Sequence, residues 1–189
     1  MRAALPLLIL SIVFTGYSFK GGGNKTTGAD SLKMPVNYPA PPPAYNRLFY
    51  VQRTPNANTI VYDLNTDATG KPDPDEPVKV YWIKYAERGQ KEDLNFIQRR
   101  FAYGLTSEPL GNGGYDIRFV SYKKFPLTLM KAADGKYHIF ALIGQKRAIL
   151  NRIFVKIEGG SFWIPNVLYV QVNGTDPNTG KEMVERFKP

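Results

Sequence analysis

The sequence contains no cysteine and a single histidine, His138, among 189 residues. Without thiols the chain can form no disulfide, no thiolate zinc site, no cysteine nucleophile and no lipid anchor linked through cysteine. One imidazole excludes multi-histidine metal centres, so a metal would need carboxylate and carbonyl ligands. We therefore predict no metal site and no cofactor, and we expect packing alone to supply the stability.

Long apolar runs are also scarce, and the main one lies at the N-terminus, where Met1 and Arg2 precede residues 5–14 (LPLLILSIVF). As a helix this run would rise about 15 Å, half of a bilayer's hydrocarbon core, which is too short for a stable transmembrane span. The layout is that of a signal peptide, and Gly16 and Ser18 suit cleavage after Ser18. We expect an exported protein, periplasmic or extracellular.

The residues after this leader predict a tether. Residues 20–34 are polar and Gly-rich, and residues 35–45 (PVNYPAPPPAY) are Pro-rich, so a flexible piece leads into a stiffer one. Tyr17 stands where a lipoprotein signal would carry its cysteine, so we do not expect a lipoprotein. The predicted organisation is a signal peptide over 1–18, a tether over 19–45 and a single β-rich domain over 46–189.

Acidic residues are fewer than basic ones, 16 Asp or Glu against 25 Lys or Arg, which gives a formal net charge of +9. Residues 77–160 hold fifteen Lys or Arg against seven Asp or Glu, so most of the surplus lies in the middle of the domain. A surface of that sign attracts phosphates, acidic glycans or anionic membranes. Scattered solubilising charge is the simpler interpretation, since no run of basic residues exceeds two.

What the sequence does contain is typical of a β protein. Seventeen glycines and fifteen prolines indicate many turns, and Asp134-Gly135 is a hairpin turn signal between two apolar runs. Eight runs rich in Val, Ile, Tyr and Phe predict strands: 47–53, 59–64, 78–85, 115–122, 126–132, 136–143, 149–157 and 167–172. We expect an all-β fold, a mostly antiparallel sandwich or partly open barrel of about eight strands.

One short helix interrupts this pattern near 92–104. Within Glu92–Tyr103, Leu94, Ile97 and Phe101 recur at helical spacing, with acids at the start and Gly104 at the end. We expect this helix to close one end of the sandwich or barrel, with the three apolar side chains facing the core.

Three segments together resemble an uncharacterised bacterial family, the domain of unknown function 4833. They are RLFYVQRTPNANTIVYDLN (47–65), PVKVYWIKYAERGQKEDLNFIQRRFAYGL (77–105) and VLYVQVNGTDPNTGKEMVERF (167–187). The resemblance covers most of the predicted domain. It implies an exported or envelope-associated domain with no assigned activity, and it supplies no catalytic residues.

The metal-binding and catalytic motifs that the sequence suggests are incomplete. Residues 63–67 (DLNTD) copy the first ligand positions of an EF-hand loop, but Ala68 and Pro74 occupy the positions that need Gly and Glu. A looser calcium site with the acids of 73–76 is an alternative to a solvated acidic loop, which we favour. His138 is expected to be a half-buried structural residue rather than part of a triad. The catalytic residues, if any, stay unknown.

An anion pocket is the one constellation that the residue types suggest. Arg99 and Arg100 on the helix and Arg53 at a strand end could grip carboxylate or phosphate in two-pronged geometry, with Trp82 and Tyr103 lining the site. The simpler alternative is that a helix arginine pairs with a nearby acid and that the aromatic rings are core.

These observations lead to a non-enzymatic binding or interaction module of the cell envelope, whose partner is an anionic small molecule, a glycan or an envelope protein. Nucleic acid is not expected, because the chain is predicted to leave the cytoplasm. The alternative is a hydrolase or lyase acting on envelope polysaccharide through paired carboxylates. A purely structural part of an assembly is the third possibility.

Overall fold

The computed structural model describes residues 38–160 and 165–189 of the chain. These form an eleven-stranded sheet that curls into an open half-barrel, with one short helical segment. The strands are β1 Arg47–Arg53, β2 Thr59–Leu64, β3 Val78–Ile83, β4 Lys91–Asp93, β5 Leu105–Pro109, β6 Tyr115–Phe119, β7 Leu127–Lys131, β8 Tyr137–Ile143, β9 Lys146–Gly160, β10 Pro165–Thr175 and β11 Glu182–Phe187. The predicted all-β class, partly open barrel and single short helix are confirmed.

The sheet consists of two antiparallel meanders joined through β9. Strands β1 to β4 pair in chain order, and so do β5 to β8. Arg152–Val155 of β9 pair with β1 in parallel and with β10 antiparallel, and Ile149 pairs with both β8 and β10. Because a strand has only two edges, β1 and β8 share one edge of β9, and β10 takes the other.

The two meanders meet at an aromatic cluster in the core. Phe49 of β1 and Tyr62 of β2 stack with ring centroids 4.2 Å apart, and Phe119 of β6 meets both rings edge-on at about 6 Å. Phe49 and Tyr62 are fully buried. Aromatic pairs in these geometries contribute about 0.5–1.5 kcal/mol each beyond the area that they bury. This cluster therefore fixes the two halves against each other.

The Asp134-Gly135 hairpin lies where the sequence predicts it. Gly135 has a φ of 78°, which a side chain would disfavour, and Leu129 of β7 pairs with Ile139 of β8. Strands β4, β5 and β11 are additional to the predicted set. They are short edge strands with many exposed side chains, so they lack the continuous apolar pattern by which buried strands are recognised.

Residues 38–45 of the Pro-rich segment lie on the outer face of the sheet. The Tyr38 ring meets Phe154 edge-on at 5.1 Å, and Gln52 donates a hydrogen bond to the Pro39 carbonyl at 2.9 Å. The leader and the Gly-rich residues fall outside the described part of the chain. Within that part, none of the helices has the length and apolar character that crossing a membrane demands.

The helical segment differs from its prediction. One α-helical turn, α1, covers Phe96–Gln98, and a π-helix continues it over Arg99–Tyr103, while Glu92 belongs to β4. The prediction that three apolar side chains of this segment face the core is wrong for two of them. Leu94 is buried, but Ile97 and Phe101 are about half exposed. A π turn holds more residues than an α turn, so the 3.6-residue spacing does not predict the inward face.

Candidate functional site

An apolar cavity of about 120 Å³ lies in the concave side of the half-barrel. Its walls come from the inner faces of β1, β9, β10 and β11, from the helical segment, and from the loop after β6. The lining residues are Val51, Tyr62, Ala102, Tyr103, Phe119, Ser121, Tyr122, Phe125, Ile153, Val155, Ile157, Val167, Val170, Val172, Phe187 and Pro189. No carboxylate or imidazole side chain among the described residues lines it.

Strand register explains the apolar wall. Side chains directly opposite each other on paired strands share a face of the sheet. Val51 is paired with Ile153, and Ile153 with Val172, so one row of cavity-facing side chains crosses three strands. The next row runs from Arg53 through Val155 and Val170 to Phe187. Arg53 therefore begins a row whose other members line the cavity.

The helical segment is built to close this cavity. Asn95 caps it by accepting a hydrogen bond from the Gln98 backbone N–H at 2.8 Å, while the Gln98 side chain accepts one from the Asn95 N–H at 3.1 Å. This reciprocal pair is a capping box, which the Asn-x-x-Gln spacing could have revealed. At the other end, only Ala102 and Tyr103 of the π-helix are buried.

Two hydroxyls hold the end of the segment from opposite halves of the sheet. Tyr62 Oη donates to the Tyr103 carbonyl at 3.0 Å, and Ser121 Oγ donates to the Ala102 carbonyl at 2.7 Å. Gly104 follows immediately, with its backbone so close to the Arg99 carbonyl oxygen that a Cβ would stand 1.8 Å from it. The position of Tyr103 thus depends on contacts from β2, from the loop after β6 and from a residue without a side chain.

We call Tyr103 and Arg53 the polar end of the cavity: Tyr103 lines the cavity, and Arg53 lies near the Tyr103 hydroxyl without lining the cavity itself. The Tyr103 side chain belongs to a residue only 3 % exposed, and its ring meets Trp82 edge-on at 4.9 Å. Burial raises the pKa of Tyr103 to about 12, and the nearby Arg53 guanidinium opposes that rise. Neither the Tyr103 hydroxyl nor Arg53 Nε, both buried, has a hydrogen-bond partner within residues 38–160 and 165–189. Buried polar groups normally have such a partner, so these two atoms retain unused hydrogen-bonding capacity.

The structure separates the residues of the predicted anion pocket into two sets. Arg53, Tyr103 and Trp82 come together at the polar end of the cavity. Arg99 instead forms an ion pair with Glu76. This agrees with the simpler alternative, in which an arginine of the helix pairs with a nearby acid. Arg100 lies at the surface with its guanidinium about 6 Å from the rings of Phe96 and Phe101.

Sequence reasoning missed the apolar wall. Valines and isoleucines in β9 and β10 were predicted as strand residues, but their spacing does not reveal a space between the side chains. The signal available was the run Ile153, Val155, Ile157, whose alternation marks one apolar face of β9. The cavity-facing residues of β10 do not alternate as regularly, because the pairing of β10 with β9 shifts register near Val167. A shift of register cannot be recognised from the order of residue types alone.

A second buried polar cluster lies on the outer face of the first meander. Arg47 Nε contacts Asp63 Oδ1 at 2.5 Å, and Tyr81 Oη donates to Asp63 Oδ2 at 2.9 Å. Burial and the Asp63 carboxylate raise the pKa of Tyr81. Because both carboxylate oxygens are engaged within the cluster, we interpret it as a stabilising network.

The acidic loop after β2 uses its carboxylates internally. Asp67 Oδ1 accepts from the Thr69 and Lys71 backbone N–H groups, and Asp73 Oδ1 accepts from those of Asp75 and Glu76. These bonds shape turns. In the described part of the chain, no three metal-ligating side chains of the His, Cys, Asp and Glu types gather at one point.

Comparison with known proteins gives one match. No curated protein and no solved structure is matched by the chain. The sequence model of the domain of unknown function DUF4833 matches residues 49–186, which include nine of the eleven strands in full and most of β1 and β11. The match spans well over half of the chain, so this protein belongs to the DUF4833 family.

Proposed function

We propose that the domain is a non-enzymatic binding module that holds a small amphiphilic carboxylate, with its apolar body in the cavity and its carboxylate at Arg53 and Tyr103. The observation that carries this proposal is the pair of buried, unpartnered polar atoms, Tyr103 Oη and Arg53 Nε, beside an apolar cavity. Leaving such groups without a partner costs about 1–3 kcal/mol each. A ligand that accepts from both recovers that cost.

The size of the cavity limits the apolar body. An apolar protein cavity of about 150 Å³ accommodates benzene, and this one measures about 120 Å³. A phenyl ring or a short branched alkyl group therefore matches the space. Each buried methylene contributes about 0.8 kcal/mol, so an occupant of this size binds with modest affinity from its apolar part alone.

The polar end selects the head group. Arg53 Nε–H can only donate, and the Tyr103 hydroxyl, like that of any tyrosine, keeps its proton at neutral pH; burial raises its pKa further, to about 12. Two donors, one of them charged, favour a carboxylate over an alcohol or an amine. Exposed lysines beside the cavity-lining residues, Lys123, Lys124 and Lys188, add positive charge around it.

The cellular setting of this proposal is the bacterial envelope. It is supported by the leader over residues 1–18 and by the Gly-rich and Pro-rich residues that follow it. N-terminal sequencing of the protein recovered from outside the cytoplasm tests the export: a new N-terminus near residue 19 is expected, and an intact Met1 would contradict it. The hydrolase alternative gains no support from the cavity, since its described lining offers no carboxylate pair.

Binding is tested by titrating the full chain with 3-phenylpropionate and with 3-phenylpropanol, which share the apolar body and differ in the head group. Calorimetry should show tighter binding of the carboxylate. Arg53→Gln and Tyr103→Phe should each weaken it about 10- to 100-fold, because a hydrogen bond to a charged group contributes about 1.5–3 kcal/mol. Binding of the alcohol should change less.

Matched controls use the same substitutions away from the cavity. Arg147→Gln removes an exposed guanidinium that lies over Phe140, and Tyr115→Phe removes a hydroxyl from a half-buried tyrosine of β6. Neither residue lines the cavity, so neither control should alter the affinity. Equal affinity for the two probes, or binding that survives both Arg53→Gln and Tyr103→Phe unchanged, would overturn the proposal.

A further inference from the structure

The outer side of the helical segment exposes three large apolar side chains. Phe96 is 72 % exposed, Ile97 53 % and Phe101 49 %. Two of them are aromatic rings, and their exposure costs free energy in water. A cluster of this kind marks a surface at which something binds.

Arg100 joins two of these side chains into one surface unit. Its guanidinium carbon lies 5.9 Å from the centroid of the Phe96 ring and 5.8 Å from that of Phe101. The charge therefore stands between two exposed rings. We call Phe96, Ile97, Arg100 and Phe101 the Phe96–Phe101 patch.

The patch lies against the cavity. Ala102 and Tyr103, which line the cavity, follow Phe101 directly in the same π-helix. The patch and the cavity are thus two sides of one segment, and a helix is only about 10 Å across. Other basic side chains adjoin the cavity from elsewhere, with Lys123 and Lys124 in the loop after β6.

Acidic neighbours of the segment are largely engaged. Glu76 is paired with Arg99, and Glu92 lies 3.6 Å from Lys84 Nζ. Asp93, exposed at the end of β4, leaves one negative charge at the start of the segment. Asp75, next to Glu76, is exposed as well. The positive charge that complements a negatively charged apolar boundary is therefore that of Arg100 within the patch and that of the whole chain, whose net charge is +9.

We propose that the Phe96–Phe101 patch docks onto the surface of an anionic phospholipid bilayer, with the two phenyl rings and Ile97 at the boundary between head groups and acyl chains. Aromatic and aliphatic side chains with a neighbouring arginine are the composition that binds there. Three side chains offer a few hundred Å², below the roughly 800 Å² that each partner contributes to a standard protein–protein interface, so a bilayer fits the patch better than a second protein does. The inference goes beyond the proposed function, because it depends on the outer side of the segment and not on what the cavity holds.

The absence of cysteine allows a direct test on the full chain. Ile97→Cys introduces one thiol in the patch, and Leu142→Cys introduces one at a comparably exposed apolar residue, 58 % exposed, on β8. Each variant is labelled with the same environment-sensitive dye and mixed with vesicles that contain a lipid-borne quencher. The vesicles are phosphatidylcholine alone, or phosphatidylcholine mixed with phosphatidylglycerol.

The dye at residue 97 should be quenched several-fold more strongly than the dye at residue 142, and more by the anionic vesicles than by phosphatidylcholine alone. High salt should reduce the difference between the two vesicle types. The apolar run 5–14 is identical in both proteins, so any bilayer affinity that it has affects both labels alike.

A further variant tests the rings themselves. Phe96→Ser with Phe101→Ser, made in the Ile97→Cys protein, should abolish the excess quenching at residue 97, and far-UV circular dichroism checks that the strands are intact. Equal quenching at residues 97 and 142 would overturn the proposal. So would a change in the residue-97 signal that depends on protein concentration without vesicles, because it would identify a second copy of the chain as the partner.

Discussion

Replacing the Tyr103 hydroxyl by hydrogen should stabilise the protein without ligand. The hydroxyl is buried, and although the Arg53 guanidinium lies nearby, no group in the described part of the chain meets the hydroxyl in hydrogen-bond geometry. An unsatisfied buried polar group costs about 1–3 kcal/mol. Phenylalanine keeps the ring that packs edge-on against Trp82 at 4.9 Å. Tyr103→Phe should therefore raise the free energy of unfolding by about 1–2 kcal/mol, which is a rise in Tm of roughly 2–8 °C for a domain of this size.

Tyr62→Phe is the matched control, because it makes the same chemical change at a neighbouring buried tyrosine. The Tyr62 hydroxyl donates to the Tyr103 carbonyl at 3.0 Å. Its removal loses a hydrogen bond and deprives a buried carbonyl of that donor, at a cost of about 1–3 kcal/mol. The ring stack of Tyr62 on Phe49 at 4.2 Å is retained. The two substitutions should thus shift stability in opposite directions.

Urea unfolding followed by far-UV circular dichroism and by fluorescence measures both variants against the parent. If Tyr103→Phe lowers stability as much as Tyr62→Phe does, the Tyr103 hydroxyl is satisfied in the folded protein. That result would refute the unsatisfied polar end, and the assignment of the ligand head group to Tyr103 would fall with it. Equal and unchanged unfolding curves for both variants would also refute the reasoning.

Three further outcomes follow from the structure. Gly104→Ala should destabilise the protein by more than about 1 kcal/mol because the new Cβ meets the Arg99 carbonyl oxygen. Gly104 has an ordinary φ of −64°, so backbone propensity alone would predict a gain in stability. Thermal denaturation distinguishes the two, because a lower Tm supports the steric clash and a higher Tm contradicts it. Arg47→Met should cost about 3 kcal/mol because it leaves the buried Asp63 carboxylate without its cation, and Arg47→Met with Asp63→Leu should recover most of that loss in urea unfolding. Between pH 10 and 12 the free energy of unfolding should fall, because the unfolded chain releases the Tyr103 proton near pH 10 whereas the folded chain holds it to about pH 12. The decrease from this one group amounts to about 2–3 kcal/mol. Urea unfolding at a series of pH values should show that Tyr103→Phe removes this part of the decrease.

Local sequence patterns predict much of the fold. The bounds of β1 and β2 agree with the predicted runs 47–53 and 59–64, since apolar, β-branched and aromatic residues bounded by turn residues specify a strand locally. The Asp134-Gly135 turn is likewise local, because it depends on the φ that one glycine tolerates. These features need no knowledge of the rest of the chain.

The helical segment shows where a local pattern fails. The spacing of Leu94, Ile97 and Phe101 predicts one inward face, but the π turn after Gln98 places Ala102 and Tyr103 inward instead. What favours the wide turn is tertiary: the Tyr62 and Ser121 hydroxyls bind the last carbonyls, and these residues come from distant parts of the sequence. Tertiary contacts override helical periodicity here.

The sequence by itself determined the β-rich class, the family and most strand positions, because each depends on residue types within a short window. Only the tertiary structure decided the site. Arg53 and Tyr103 are fifty positions apart, and they meet because β2, which pairs with β1, holds the end of the helical segment through the hydrogen bond from Tyr62 to the Tyr103 carbonyl. The cavity is the space that the paired rows of side chains leave unfilled, and a space between side chains depends on their packing in three dimensions, which no one-dimensional pattern records.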